Sequence, residues 1–145
     1  MSYYLDTSVL LPLFISEPTS EAIHRWYSED TRGRLFIADL VATEFSAVVS
    51  QLVRSKVLDD EEATAVRARF ELWRGDFSDF LENLPADIRA AGVLVRSPQP
   101  RLLAADATHL ATCLRLGLTL VTHDTDLQVA AAREGITWES PAPVR

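Results

Sequence analysis

Cysteine is nearly absent from this chain of 145 residues, since Cys113 is the only one. No disulfide can therefore form within the chain, which fits a reducing compartment. We expect Cys113 to be a small core residue rather than a nucleophile. No apolar run is long enough to span a membrane, and the first residues lack the basic start and long apolar stretch of a signal peptide. These absences predict a soluble, cytoplasmic protein.

Positive charge is scarce as well, because 14 Lys and Arg residues face 21 Asp and Glu residues and the net charge is −7. This balance argues against broad electrostatic binding of nucleic acid, which requires basic patches. It does not exclude an enzyme whose acids gather at one metal site. The length and an apolar fraction of 48% predict one folded domain over residues 1–145, with a loose tail at 140–145.

Strand-like and helix-like segments alternate along the chain. Buried strands are predicted to end at Leu5 and to cover residues 34–38, 118–121 and 136–138. The predicted helices begin at or near Pro18, Asp39, Asp59, Pro85, Leu102 and Asp124. This alternation implies an α/β fold, with a parallel sheet covered by helices on both faces.

Several helix ends carry recognisable signals. Asp39 stands where an N-cap belongs, and the pair Asp59 and Glu62 has the spacing of a capping box. Gly117 and Gly135 are predicted to end the helices that precede them.

An acid follows the first predicted strand directly. Asp6 comes after Tyr3-Tyr4-Leu5 and is followed by Thr7 and Ser8, where a helix is expected to start. Ligands bind outside the carboxyl ends of strands in open parallel sheets, so Asp6 is a candidate site residue. The alternative is a turn acid whose side chain caps the helix behind it.

Two further acids stand on predicted apolar helix faces. Glu44 lies three residues after Val41, and Asp106 lies four residues before Leu110. Neither has an arginine or lysine three or four residues away, and a buried unpaired carboxylate is costly. A hydrogen bond or salt bridge to another segment would explain each acid singly. A shared site would explain both.

Asp124 repeats the pattern of Asp6, because it follows the strand ending at Val121 and the hydroxyl residue Thr122. Asp124 and Asp126 could each cap the next helix. Nevertheless, two acids at strand ends and two on inward helix faces can converge on one rim of the sheet. A hard divalent cation relieves the repulsion between such carboxylates, and ligands that are all oxygen favour Mg²⁺ or Mn²⁺ over zinc.

Four segments of the chain, in this order, resemble the PIN-domain ribonucleases, and among them the VapC toxins of bacterial toxin–antitoxin pairs. The segments are Leu5-Asp6-Thr7-Ser8, Thr43-Glu44-Phe45, residues 105–111 around Asp106, and residues 120–127 around Asp124. They span nearly the whole chain at spacings similar to those of the family. A departure is Thr108, where many relatives carry leucine or another apolar residue.

The resemblance implies a PIN-like α/β/α domain whose acidic quartet holds the metal. The quartet and an accessory acid found in some members would be Asp6, Glu44, Asp106, Asp124 and Asp126. It further implies Mg²⁺-dependent hydrolysis of phosphodiester bonds in structured RNA, such as tRNA or rRNA, which inhibits translation. Thr7, Ser8 and Thr122 would orient the carboxylates or contact the phosphate.

The same resemblance implies partners. A VapB-like antitoxin would insert a segment across the toxin, and homodimers and toxin–antitoxin hetero-oligomers are usual. Six aromatic residues are candidates for either core packing or a groove for a partner helix. They are Trp26, Tyr27, Phe70, Trp73, Phe77 and Phe80.

Other functions are also considered. A catalytically idle PIN-like module that binds RNA or protein would have no reason to keep four costly acids. An aspartyl phosphatase would need a second acid two residues after the first, where this chain has Ser8. His109 could carry protons near the site, although we favour a core-edge histidine bonded to the backbone. No histidine is assigned a catalytic role.

Overall fold

The centre of the molecule is a parallel β-sheet. The structure, a computed structural model, describes residues 1–30 and 33–141, and this part of the chain contains five strands. The strands are β1 (Ser2–Leu5), β2 (Arg34–Ala38), β3 (Asp79–Leu81), β4 (Thr119–Val121) and β5 (Trp138–Glu139). Their order across the sheet is β3-β2-β1-β4-β5, and all neighbouring pairs are parallel. The predicted parallel sheet is therefore confirmed.

Strand β1 lies in the middle of the sheet, and the direction of strand addition reverses beside it. Tyr4 is paired with Phe36 of β2 on one side and with Leu120 of β4 on the other. The chain first adds β2 and β3 on one side and later adds β4 and β5 on the other. Ligands of open α/β sheets bind at such a switch point, outside the carboxyl ends of the strands. The residues that follow β1 and β4 meet there.

Seven α-helices flank the sheet in the described part of the chain. They are α1 (Thr7–Phe14), α2 (Ser20–Arg25), α3 (Asp39–Arg54), α4 (Asp60–Phe77), α5 (Pro85–Leu94), α6 (Ala104–Leu116) and α7 (Thr125–Arg133). A π-helical turn, Trp26–Asp30, follows α2. This is the three-layer α/β/α arrangement expected from the sequence. None of the described helices combines the length and apolarity needed to cross a membrane.

Several predicted helix ends are present. The Asp59 carboxylate accepts the N–H of Glu62 at 2.7 Å, and the Glu62 carboxylate accepts the N–H of Asp59 at 3.2 Å. The capping box before α4 is thus confirmed. Gly117 and Gly135, which follow α6 and α7, have φ angles of 65° and 74° in the left-handed region that favours glycine.

Some boundaries differ from the prediction for local reasons. Asp39 is the first residue of α3 rather than its N-cap, and its carboxylate accepts a hydrogen bond from Arg74 at 3.1 Å. Helix α6 begins at Ala104, two residues later than expected. The last strand is Trp138–Glu139, since the Ile136 N–H is bonded to the Ala131 carbonyl at 2.8 Å and ends α7.

Strand β3 was not predicted. It has three residues at the edge of the sheet, and Phe80 is 60% exposed, so no buried apolar run marks it. Contacts from elsewhere hold it in place: the Arg34 guanidinium bonds the Asp79 carboxylate at 2.9 Å, and Arg74 stacks over the Phe80 ring at 3.9 Å.

The core fills the space between the sheet and its helices. Phe45 of α3 stacks on Phe70 of α4 with ring centroids 4.1 Å apart, and both rings are buried. Cys113 is buried as expected, and burial raises the pKa of its thiol well above the usual range. The predicted loose tail falls largely on residues 142–145, which lie outside the described residues.

Candidate metal centre

Asp6 lies at the centre of the site, directly after β1. Its side chain is buried and makes no capping bond to α1, although Asp6 is the N-cap residue of that helix. The hydroxyls of Ser8 and Thr122 both donate to its Oδ2, at 2.8 and 2.9 Å. The helix-cap alternative is therefore wrong for this side chain, which the hydroxyls hold in one orientation.

Glu44 approaches Asp6 from α3. Its Oε1 accepts a long hydrogen bond of 3.5 Å from the Thr7 hydroxyl and is bonded to Nε2 of His109. A ligand atom from each of Asp6, Glu44 and His109 lies within 4.8 Å of the other two. Glu44 therefore extends from the apolar face of α3 into the protein, where it contacts Thr7 and His109.

Asp106 lies in the first turn of α6. Asp124 is the N-cap of α7, which confirms the helix-cap alternative for this residue, whereas Asp126 lies inside α7. The Leu103 N–H donates to Oδ2 of Asp106 at 3.1 Å, and the Leu127 N–H donates to Oδ1 of Asp124 at 3.1 Å. Both acids line a cavity of about 140 Å³, together with Asp126. Arg101 also lines this cavity and is the basic side chain beside the acids.

Among the residues that the structure describes, Asp106, Asp124 and Asp126 do not belong to any cluster of three ligand atoms within 4.8 Å, but the charges of Asp124 and Asp6 act on the Asp106 carboxyl. Burial raises the pKa of Asp106 most, and the charges of Asp124 and Asp6 raise it further, against the lowering effect of the Leu103 N–H. Carboxylates that oppose each other's ionisation in this way are close in space. A cation among them would remove the repulsion.

The four acids share a bonding pattern. In each of the four carboxylates, one oxygen accepts all the hydrogen bonds. The other oxygen has no donor among residues 1–30 and 33–141. The bonded oxygens are Asp6 Oδ2, Glu44 Oε1, Asp106 Oδ2 and Asp124 Oδ1. Each acid is therefore oriented by the protein and keeps one oxygen for another ligand. This set of donors fits a hard divalent cation such as Mg²⁺ or Mn²⁺.

The family model for the PIN domain matches residues 3–133 of the chain. The chain belongs to the PIN domain family. Over 147 aligned residues it is 28% identical to Ribonuclease VapC35 of Mycobacterium tuberculosis, and the alignment covers 98% of both chains.

Several solved structures have the same fold. FitAcB from Neisseria gonorrhoeae superimposes with a TM-score of 0.74 at 19% identity, covering 96% of this chain and 97% of that one. VapC20 of M. tuberculosis, described as a sarcin–ricin loop cleaving toxin, gives 0.71 at 18% identity, with coverages of 88% and 94%. VapBC2 from Rickettsia felis, bound to DNA from its promoter, gives 0.71 at 13% identity, with coverages of 97% and 98%.

One part of this PIN domain was missed in the sequence. His109 was expected to bond the backbone, but its two ring nitrogens bond the side chains of Tyr4 and Glu44. His109 is fully buried, and burial raises the pKa of Tyr4 above its usual range, so the phenol stays protonated. The available signal was the position of His109, three residues after Asp106 on the inward face of α6.

Proposed function

We propose that this PIN domain protein is a metal-dependent endoribonuclease and acts as the toxin of a VapBC-type pair. The observation that carries the proposal is the shared bonding pattern of the four acids, each held through one oxygen and open at the other. The name of VapC35 and the description of VapC20 support RNA as the substrate. Structured RNA such as tRNA or rRNA is the proposed target, and inhibition of translation is the proposed outcome.

The acids divide into proposed roles. Asp6 and Asp106 would bind the cation directly, while Glu44 and Asp124 would bind it directly or through water. Asp126, which lines the same cavity, would be an accessory ligand. Bound Mg²⁺ supplies positive charge and Lewis acidity at the scissile phosphate.

The hydroxyl residues would act on the acids rather than on the substrate. Ser8 and Thr122 fix the orientation of Asp6, so its second oxygen faces the site without rotating. Thr122 also accepts the N–H of Asp124 at 3.0 Å and so joins the two strand ends. Thr7 restrains Glu44 over a longer distance.

A VapB-like antitoxin is the proposed partner, with a homodimer of the toxin at the centre of the complex, in the cytoplasm. The structure of R. felis VapBC2 is that of such a pair. A largely apolar groove of about 410 Å³, lined by Phe14, Leu58 and Val66 among others, lies beside α4 and is open to an amphipathic helix. Of the six aromatic candidates for this role, Trp26 and Phe70 are buried in the core, and Phe77 and Phe80 are exposed.

The alternative of an idle binding module is disfavoured by the same bonding pattern. A module that does not cleave RNA could use Asp124 and Asp106 at the starts of their helices, but it has no need for the buried Asp6 carboxylate, which caps no helix, or for the hydroxyls that orient it. Burial raises the pKa of Asp106, and the charges of Asp124 and Asp6 raise it further, so a bound cation would relieve a cost that an idle module would carry unrelieved.

Cleavage of RNA by the purified protein tests the proposal. We expect cleavage with Mg²⁺ or Mn²⁺ and none with EDTA. Asp6→Asn should abolish cleavage and leave the circular dichroism spectrum unchanged, whereas Asp76→Asn on the exposed side of α4 should cleave as the parent does. Equal cleavage by Asp6→Asn and the parent would refute the proposal.

A further inference from the structure

A chain of hydrogen-bonded polar side chains, of which Tyr4 and His109 are buried and Asn83 is half-buried, leads away from the acids. It begins at the backbone N–H of Leu40, which donates to Oδ1 of Asn83 at 3.0 Å. Because the amide oxygen is bonded there, the NH₂ group of Asn83 faces the opposite way. It donates to the Tyr4 hydroxyl at 3.4 Å and to Oγ1 of Thr112 at 2.9 Å. A backbone group thus determines which way the Asn83 amide points.

The direction of the remaining hydrogen bonds follows from that amide. The Tyr4 hydroxyl accepts from Asn83, so its own hydrogen is available to Nδ1 of His109. Among the residues that the structure describes, this nitrogen is the acceptor in contact with the Tyr4 hydroxyl. A neutral imidazole that accepts at Nδ1 carries its hydrogen on Nε2. The Nε2–H of His109 then donates to Oε1 of Glu44.

We propose that His109 is a positioning residue for Glu44. As the Nε2–H tautomer set by Asn83 and Tyr4, it holds Oε1 and leaves Oε2 for the cation. The inference rests on the proposed function, because it assigns Glu44 to the metal site.

Glu44 needs such a partner more than the other acids do. Asp106 and Asp124 are held by backbone N–H groups at 3.1 Å, and Asp6 is held by two hydroxyls at less than 3.0 Å. Glu44 is longer and half-buried, and apart from His109 its contact is the 3.5 Å bond from Thr7. Without the imidazole, its carboxylate would rotate among several rotamers.

The same tautomer argues that His109 does not bind the metal. Its Nε2 lies in the cluster with the oxygens of Asp6 and Glu44, which is the arrangement of a possible ligand. A histidine ligand presents an unprotonated nitrogen to the metal and donates the hydrogen of its other nitrogen. Here Nε2 carries the hydrogen and Nδ1 accepts one, so neither nitrogen is available.

The tautomer can be observed without RNA or metal. Long-range ¹H–¹⁵N correlation spectra of the labelled protein distinguish protonated from unprotonated ring nitrogens in each histidine. His24→Gln and His123→Gln variants assign the signals by elimination and leave His109 in place. We expect the spectra to show a hydrogen on Nε2 of His109. An Nε2 without a hydrogen would overturn the inference.

Mn²⁺ binding by calorimetry tests the effect on Glu44. His109→Leu removes the N–H, and we expect Mn²⁺ to bind about tenfold more weakly, as for other groups that orient ligands. His109→Gln places an amide N–H near the position of Nε2 and should recover most of this loss. In the Glu44→Gln background, His109→Leu should cause no additional weakening. A purely structural role predicts equal weakening in both backgrounds and no recovery by glutamine.

Ser78→Ala is the control, because it removes a partly buried hydroxyl that bonds the Arg74 carbonyl and lies outside the chain from Leu40 to Glu44. It should bind Mn²⁺ as the parent does. Cleavage assays separate the two hypotheses. A parent that binds Mn²⁺ but does not cleave RNA contradicts the proposed function alone. A parent that cleaves RNA, with a His109→Leu variant that binds Mn²⁺ and cleaves equally well, contradicts the role of His109.

Discussion

The hydroxyl of Thr122 donates a 2.9 Å hydrogen bond to Oδ2 of Asp6, and the two residues are 116 positions apart in the sequence. This bond joins the carboxyl ends of β1 and β4, the strands on either side of the switch point. It fixes the carboxylate at the centre of the proposed metal site. The same hydroxyl accepts the N–H of Asp124, so one side chain orients both strand-end acids.

Replacing Thr122 by valine should therefore lower activity as well as stability. Thr122→Val keeps the buried volume and removes the hydrogen bond to a charged group, which contributes about 1.5–3 kcal/mol. We expect kcat for RNA cleavage to fall about tenfold or more. Thr64→Val, on the exposed surface of α4, is the control and should be unaffected. Unchanged kcat in Thr122→Val would show that the bond does not orient Asp6 for catalysis.

Asp106 should stabilise the metal-bound protein and destabilise the metal-free protein. Burial and the charges of Asp124 and Asp6 raise its pKa, so its ionised form destabilises the fold. At pH 7 without metal, Asp106→Asn should melt at a higher temperature than the parent. Added Mn²⁺ should raise the melting temperature of the parent and have a much smaller effect on the variant. If the parent gained nothing from Mn²⁺, Asp106 would not be part of a metal site.

The ion pair between Asp87 and Arg115 should make stability depend on pH. Hydrogen bonds from Arg115, aided by the Leu84 N–H and Thr112, hold the pKa of Asp87 below its usual range. The folded pKa is lower than the unfolded one, so the stabilisation is present above about pH 4 and is lost as the pH falls below that value. Asp87→Asn should lower the free energy of unfolding at pH 7 by about 2 kcal/mol, less than for a fully buried pair because Arg115 reaches solvent.

The measurement for Asp87 is urea unfolding between pH 7 and pH 3. The difference in unfolding free energy between the parent and Asp87→Asn should shrink as the pH falls below about 4. A difference that stays constant over this range would mean that the carboxylate charge contributes nothing.

The stacked rings of Phe45 and Phe70 should dominate the packing of α3 against α4. Both rings are buried with centroids 4.1 Å apart, so Phe45→Ala leaves a cavity and should cost about 3–5 kcal/mol in unfolding free energy. Leu72→Ala is the control, since Leu72 is 70% exposed. We expect the control to stay within about 0.5 kcal/mol of the parent by chemical denaturation. Equal losses in both variants would contradict this view of the core.

The sequence predicted those parts of the fold that depend on neighbouring residues. Strands β1 and β4 are short apolar runs that end in acids, so their type and the position of Asp6 and Asp124 could be read locally. The capping box at Asp59 and the helix end at Gly117 are also local patterns. Strand β3 was not predicted because it is a three-residue edge strand with an exposed phenylalanine, and its pairing with β2 and its ion pair with Arg34 involve residues distant in sequence.

The hydrogen-bond network that orients Glu44 could not be predicted in the same way. Tyr4, Asn83 and His109 lie on β1, before α5 and on α6, and each has an ordinary local pattern. Their roles depend on which atoms meet after folding, and on one backbone N–H that orients the Asn83 amide. Glu44 was conspicuous in the sequence because its charge stands beside an apolar stripe. His109 on α6 was less so, since a buried histidine has many possible partners.

The most direct test of the metal site is a crystal structure of the protein with Mn²⁺, using anomalous scattering to locate the ion. We predict an anomalous peak among the carboxylate oxygens that lack a protein donor, with ligand distances of about 2.0–2.3 Å. The ligands should include Asp6 and Asp106, and His109 should remain bonded to Glu44 rather than to the ion. A peak elsewhere, or no peak among these acids at millimolar Mn²⁺, would contradict the account.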